Sequence, residues 1–204
     1  MPKVYVIGKE PEYENMFTNN GWTISSYEDA EFVQFTGGED VSPILYGEHN
    51  VYSGCNANRD TREVSIFRDA LKKGKNLLSI CRGSQFLTVM AGHSLWQDVN
   101  NHAIFKGHEA TMYDGTIVQV SSTHHQMMRL DGVAPYELLM WAGRTTEKRG
   151  AHGVFKQDDK DDKRDVESVF HHEINALCFQ PHPEFFDKTH QCQKAYFSLI
   201  EAMF

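Results

Sequence analysis

Three features of the chain predict an α/β fold with a mostly parallel central sheet flanked by helices. Short apolar runs alternate with amphipathic helical stretches through the first half. Gly8, Gly21, Gly37-Gly38 and Gly74 punctuate them. One run, Leu77-Leu78-Ser79-Ile80, passes through Cys81 directly into a helical stretch. Strand–helix alternation of this kind gives parallel strands joined by right-handed crossovers. The 204 residues have the length of one domain, 1–204, large enough to bury a core of its own.

The elements follow in order. Val4-Tyr5-Val6-Ile7 reads as a buried strand closed by Gly8, and Glu12 to Asn20 as a helix stopped by Asn20-Gly21. Thr23 to Tyr27 and Phe32 to Phe35 read as strands, the second ending in Thr36-Gly37-Gly38. Arg59 to Lys73 has helical spacing, with Val64, Phe67, Ala70 and Leu71 on one face. In the second half, strand patterns cover 117–120, 137–141, 166–170 and 176–180, and a helix over about 188–203 buries Ala195, Tyr196, Leu199, Ile200 and Met203. The charged run from Asp158 to Asp165 reads as a solvated turn between strands.

A strand that turns sharply into a helix at a nucleophile is a nucleophile elbow. Here the nucleophile is Cys81, and Gly83 supplies the small neighbour the crowded turn needs. The helix N-terminus carries partial positive charge and unpaired N–H groups, both of which favour an anion there. The remaining cysteines, Cys55, Cys178 and Cys192, lack this setting and read as buried structural thiols. Ligands in such sheets bind at the carboxyl ends of the strands, so Gly37-Gly38 and Cys81 can share a pocket.

A cysteine nucleophile needs a base and a group to orient that base. His182 follows a buried strand directly and is held between Pro181 and Pro183, which stiffen the backbone. Glu184 stands two residues on, on the same side of an extended segment. An ordinary strand-to-loop exit is the plainer account of Pro181-His182-Pro183-Glu184.

Composition narrows the field. A net charge of −8 argues against a nucleic-acid surface. No apolar run approaches the roughly 20 residues that span a bilayer. Val4-Tyr5-Val6-Ile7 begins a strand rather than a signal peptide. Four cysteines without CxxC spacing point neither to a disulfide framework nor to zinc, and a reducing cytoplasm is the expected address. The eleven histidines show no H-E-x-x-H and no finger spacing. Most, including His102, His108, His124 and His171, read as surface or loop residues, so no metal and no cofactor is expected.

Ile80-Cys81-Arg82-Gly83-Ser84-Gln85 together with Gln180-Pro181-His182-Pro183-Glu184 resembles the class I glutamine amidotransferase domain. The resemblance is closest to its γ-glutamyl hydrolase branch, the peptidase C26-like group that includes γ-glutamyl-γ-aminobutyrate hydrolases. Four more segments, in the family's order, carry it. Thr36-Gly37-Gly38-Glu39-Asp40-Val41-Ser42-Pro43 with Tyr46-Gly47-Glu48 is similar to P-G-G-x-D-V-x-P…Y-G-E. Arg59-Asp60-Thr61-Arg62-Glu63 resembles R-D-x-x-E. Gly92 to Val99 resembles G-G-T-L-x-Q-D-I, and Ser122-Thr123-His124-His125-Gln126 resembles S-x-H-H-Q. The chain departs from the pattern at Thr36, Ser79, His93 and Pro181.

The resemblance implies a flavodoxin-like fold and a Cys81–His182–Glu184 triad. Cys81 attacks a γ-glutamyl amide to form a glutamyl thioester, His182 protonates the departing amine, and Glu184 orients His182. It also implies an oxyanion site at the N–H groups of Gly37 or Gly38 and of Arg82. Gln85, Ser122, His125 and Gln126 would hold the glutamyl group. Two enzymatic readings stand: a free hydrolase of a γ-glutamyl amide, or a glutaminase subunit feeding ammonia to a separate ATP-dependent synthetase or ligase. A binding protein on a decayed amidotransferase fold is the non-enzymatic alternative.

Overall fold

The computed structural model describes residues 1–156 and 163–204. The first half alternates as the pattern predicts: β1 (Lys3–Val6), α1 (Pro11–Asn19), β2 (Thr23–Ile24), β3 (Phe32–Phe35), α2 (Ala57–Lys72), β4 (Asn76–Ile80) and α3 (Arg82–Met90). Proline at the first position starts α1, where its missing N–H costs nothing. The Asn56 side chain caps α2 by accepting from the Arg59 N–H at 3.2 Å. The strand expected over Thr23–Tyr27 pairs only through Thr23 and Ile24.

The second half is almost entirely β: β5 (Ser94–Trp96), β6 (Asp98–Val99), β7 (Ala103–Met112), β8 (Ile117–Thr123), β9 (Met127–Arg129), β10 (Tyr136–Ala142), β11 (Glu147–Gly150), β12 (Gly153–Lys156), β13 (Asp165–His171) and β14 (Ala176–Phe179) precede α4 (Gln191–Met203). Among the described residues, nine strands form the main sheet in the order β2-β1-β3-β4-β14-β13-β10-β7-β8. From β2 to β14 the neighbours run parallel. From β14 to β8 they run antiparallel. The parallel half lies between helices, α1 and α4 against one face and α2 and α3 against the other. That is why every residue of β3 and β14 is buried.

Several expectations change. Leu71 is 42% exposed, and the inward face of α2 carries Asp60 and Glu63 beside Phe67 and Ala70. Met203 is only partly buried. Of the charged run, 158–162 lie outside the described residues, but Asp165 begins β13 and is fully buried, not solvated. Cys55 is exposed. His93, His102, His108, His124 and His171 are buried rather than superficial.

Helix α3 packs unusually close to β3. A Cβ on Gly83 would sit 2.6 Å from the Phe35 carbonyl oxygen, against backbone that cannot step aside. Gly83→Ala is therefore expected to destabilise the fold by about 1–3 kcal/mol, the usual cost of overpacking. Urea unfolding measures it, and an unchanged midpoint would contradict the packing described.

Candidate active site

Cys81, Gly37-Gly38 and His182 follow the carboxyl ends of β4, β3 and β14, three adjacent strands. The residues expected to act together thus arrive at one crevice. Cys81 has φ 51° and ψ −112°, a positive-φ conformation that non-glycine residues avoid. Such strain survives only where the surroundings over-determine it. Here the Cys81 N–H donates to the Phe179 carbonyl at 2.9 Å, and the Cys81 carbonyl accepts from the N–H of Ser84 at 2.9 Å and of Gln85 at 3.1 Å. Ser79, in place of a glycine, donates its hydroxyl to the Leu177 carbonyl at 3.0 Å, so β14 absorbs its side chain.

His182 Nδ1 donates to Glu184 Oε1 at 2.5 Å. The His182 backbone N–H donates to Ser121 Oγ at 2.7 Å. The Phe185 ring stacks on the imidazole, 4.4 Å between centroids and 4° between planes. An aromatic thus flanks His182 from three residues downstream, although Pro181 occupies the position before it. Burial disfavours charge on the ring, but the Cys81 sulfur and the Glu184 carboxylate outweigh it and raise His182 from 6.5 to about 10.

Tyr13, on the buried face of α1, belongs to this site. Its hydroxyl accepts the Gly37 N–H at 2.9 Å. Burial first, and then the Glu184 charge, push its own ionisation far up, so it stays a neutral phenol. This corrects the expectation for Gly37, whose N–H is already taken. Gly37 must still be glycine, because a Cβ would lie 2.7 Å from His182 Cε1. Gly38 lines the crevice with φ 136°. The Arg82 N–H heads α3, where the helix supplies no acceptor.

Behind the turn lies a buried ionic network. The Arg82 guanidinium pairs with Asp60 and Glu63. Glu63 also accepts from Arg59 at 2.8 Å, and Arg59 donates to the Gly37 carbonyl at 2.7 Å and the Thr36 carbonyl at 3.1 Å.

A cavity of about 300 Å³ opens in front of Cys81, lined among others by Gly38, Asp40, Gln85, His124, His125 and Gln126. Gln85 donates to the Gln126 carbonyl at 2.7 Å. Gln126 exchanges hydrogen bonds with the Val41 N–H at 3.0 Å and carbonyl at 3.2 Å, so its amide holds the loop after Gly38. His125 lies between Asp40, 3.1 Å from its Nε2, and Asp98, 3.3 Å from its Nδ1. The Asp40 hydrogen bond leads in raising His125 above its ordinary value, against partial burial. Ser122 departs from expectation: it gives its hydroxyl to the His102 carbonyl and does not line the cavity. Burial pushes Cys178 and Cys192 up to about 12 each.

This fold, with a cysteine at the elbow, is that of the class I glutamine amidotransferases. The family model for Peptidase C26 matches residues 26–134, and the chain belongs to that family. It is similar to protein NtpR of Enterococcus hirae, 31% identical over 131 residues, 52% of this chain and 55% of that protein. It therefore spans about half the length of that relative. It is also similar to the glutamine amidotransferase-like protein YvdE of Lactococcus lactis, 28% identical over 189 residues, 82% of this chain and 72% of that protein. Among solved structures, a GMP synthase subunit from Thermoplasma acidophilum superposes with a TM-score of 0.61 at 14% identity, covering 100% of this chain and 94% of that one. Among the described residues no helix is long and apolar enough to cross a membrane.

Two outcomes are expected of the site. Iodoacetamide at neutral pH, followed by peptide mass mapping, modifies Cys81 and spares Cys178 and Cys192 in the folded protein; comparable rates at either buried thiol would contradict the burial described. The raised His182 value also stabilises the fold. That contribution is fully present below about pH 6.5 and is lost as the pH rises through about 10. Cys81→Ala removes the ring's main partner, so the fall in melting temperature toward alkaline pH becomes shallower in the variant. An identical slope in both proteins would show that the pairing is absent.

Proposed function

We propose that this chain is a cysteine-dependent hydrolase that cleaves a γ-glutamyl amide, glutamine or a γ-glutamyl amine, through a glutamyl thioester on Cys81. The observation that carries the reading is the line from the strained elbow cysteine to His182 and its 2.5 Å contact with Glu184, at the mouth of the cavity. Because Nδ1 is committed to Glu184, Nε2 is the nitrogen that exchanges a proton with the thiol.

The thiolate forms a C–S bond to the amide carbon. The carbonyl oxygen becomes an oxyanion within reach of the N–H groups of Gly38 and Arg82. Collapse breaks the C–N bond, and the imidazolium gives its proton to the departing amine. Water then attacks the thioester, His182 takes its proton, and glutamate leaves as the C–S bond breaks. Tyr13 and Phe185 act as positioning residues, the first through Gly37 and Glu184, the second through the imidazole face. The α-ammonium of the glutamyl group would meet the carboxylates of Glu39 and Asp40 on the cavity wall.

A second reading, a glutaminase subunit that passes ammonia to a separate synthetase or ligase, draws support from the likeness to a synthase subunit. One experiment separates the two. The purified chain is incubated with glutamine and a panel of γ-glutamyl amides, with Cys81→Ala as control. Glutamate release lost by about a thousandfold or more in the variant, as expected when a nucleophile is removed, supports the free hydrolase. Silence on the whole panel, with Cys81 still alkylated by a glutamine-analogue affinity label, supports the ammonia-donating reading. Hydrolysis that survives Cys81→Ala undamaged would overturn both.

A further inference from the structure

Three buried side chains on the antiparallel half of the sheet converge on one point. His102, His108 and Glu167 place His102 Nδ1, His108 Nε2 and a Glu167 oxygen within 4.8 Å of one another. Glu167 Oε1 lies 3.4 Å from His102 Nδ1 and 3.1 Å from His108 Nε2. Yet none of these atoms, nor Glu167 Oε2, has a hydrogen-bond partner among the described residues. All three side chains are fully buried.

The outer face of each imidazole fixes its tautomer. His108 Nδ1 lies 2.9 Å from the Glu109 carbonyl, which can only accept, so Nδ1 carries a proton and in the neutral ring Nε2 presents a lone pair. His102 Nε2 lies 3.1 Å from Asp165 Oδ2, so it donates there and Nδ1 presents a lone pair. With both rings neutral, three sets of lone pairs face one another in a buried interior, where unmatched polar atoms are costly. A proton on one imidazole answers one of those contacts. A single divalent cation answers all of them.

The geometry points to a zinc site formed by His102 Nδ1, His108 Nε2 and Glu167. Zinc takes imidazole nitrogen and carboxylate oxygen, and tetrahedral bonds of about 2.0–2.2 Å set ligand atoms roughly 3.3–3.5 Å apart; the carboxylate lies 3.4 and 3.1 Å from the two nitrogens, and the two nitrogens, within 4.8 Å of each other, would close on the ion as it binds. The outer shell is of the kind metal-binding histidines use, a carboxylate behind one ring and a backbone carbonyl behind the other. Asp165 is itself fixed by the N–H groups of Arg144 and Thr145, both at 2.8 Å.

The backbone is bent to bring His108 inward. The register of β7 against β8 shifts between Ile104 and His108. Within that bulge Gly107 has φ 66°, and a Cβ there would lie 2.0 Å from the Val120 carbonyl oxygen. A bulge re-aims the side chain that follows it, and here that side chain is the second ligand. The ion would tie β7 to β13. The Glu167 carbonyl accepts the Gln180 N–H at 2.7 Å, so the tie reaches the segment that carries His182.

The test uses untagged full-length protein grown or refolded with Zn²⁺, dialysed free of loose metal and assayed by elemental mass spectrometry. One zinc per chain is expected, retained in Cys81→Ala and lost in His108→Gln and Glu167→Gln, with circular dichroism to confirm folding. Should either variant fail to fold, Co²⁺ loading of the native chain decides instead. Visible bands of nitrogen and oxygen coordination, unaltered in Cys81→Ala, support the site. Sulfur-to-cobalt charge transfer would assign the ion to Cys81 and overturn it. Zinc far below stoichiometry, or zinc unaffected by a folded His108→Gln, would overturn it equally and leave a proton shared between the imidazoles and Glu167 as the occupant.

Discussion

The buried guanidinium of Arg82, paired with Asp60 and Glu63 on α2, is the interaction on which the site's shape rests. Arg82 is the residue after Cys81 and 1% exposed. A charge in that position is tolerable only when it is matched, and removing one partner of such a pair typically costs about 3–5 kcal/mol. Glu63 extends the pairing to Arg59, and Arg59 holds the carbonyls of Thr36 and Gly37. One chain of charges therefore runs from the start of α3 to the turn after β3. The two backbone segments proposed to hold the oxyanion are fixed relative to each other through side chains that never touch the cavity's contents. This also explains why Asp60 and Glu63 face inward while Thr61 and Arg62 between them stay exposed.

A second set of constraints acts on the imidazole. Glu184 fixes one nitrogen, Phe185 covers a face, Gly37 lets the ring approach, and Ser121 holds the backbone beneath it. Tyr13 links the glycine turn to the carboxylate. These contacts come from α1, β8 and the turn after β14, so the ring's orientation depends on most of the fold. The thiol is held differently, by a strained backbone whose N–H and carbonyl are both committed.

Much of this was legible in the residues. The parallel strands were readable because strands buried on both faces are continuous apolar runs, as at Leu77 to Ile80 and Ala176 to Phe179. The sharp turn from β4 into α3 was readable because a crowded turn needs a small neighbour, and Gly83 supplies it. His182 and Glu184 were legible from their spacing. Tyr13 was not, because a tyrosine on the apolar face of a helix looks like any core aromatic until the turn it touches is known. Asp60 and Glu63 were hidden because helical periodicity assigns charged residues to solvent, and only the arrival of Arg82 makes their burial acceptable. The buried histidines escaped for a related reason. A bulge at Gly107 breaks the alternation that would have shown which way His108 points, and Asp165, at the end of a charged run, gave no sign of entering the interior. The short strands β5, β6 and β9 pair with partners distant in sequence and carry no periodicity long enough to read.

The position of β14 has a consequence for how the molecule comes into being. It follows β13 in the chain yet lies between β4 and β13 in the sheet. A polypeptide leaving the ribosome presents β4 long before β14 exists to pair with it. Until then the edge of β4 is open, the elbow lacks the Phe179 carbonyl that holds Cys81, and His182 has not yet been made. The interior slot is filled almost last. Translation thus leaves Cys81 without its backbone support until β14 has been made, and a prematurely terminated chain carries both an exposed strand edge and an unsupported turn.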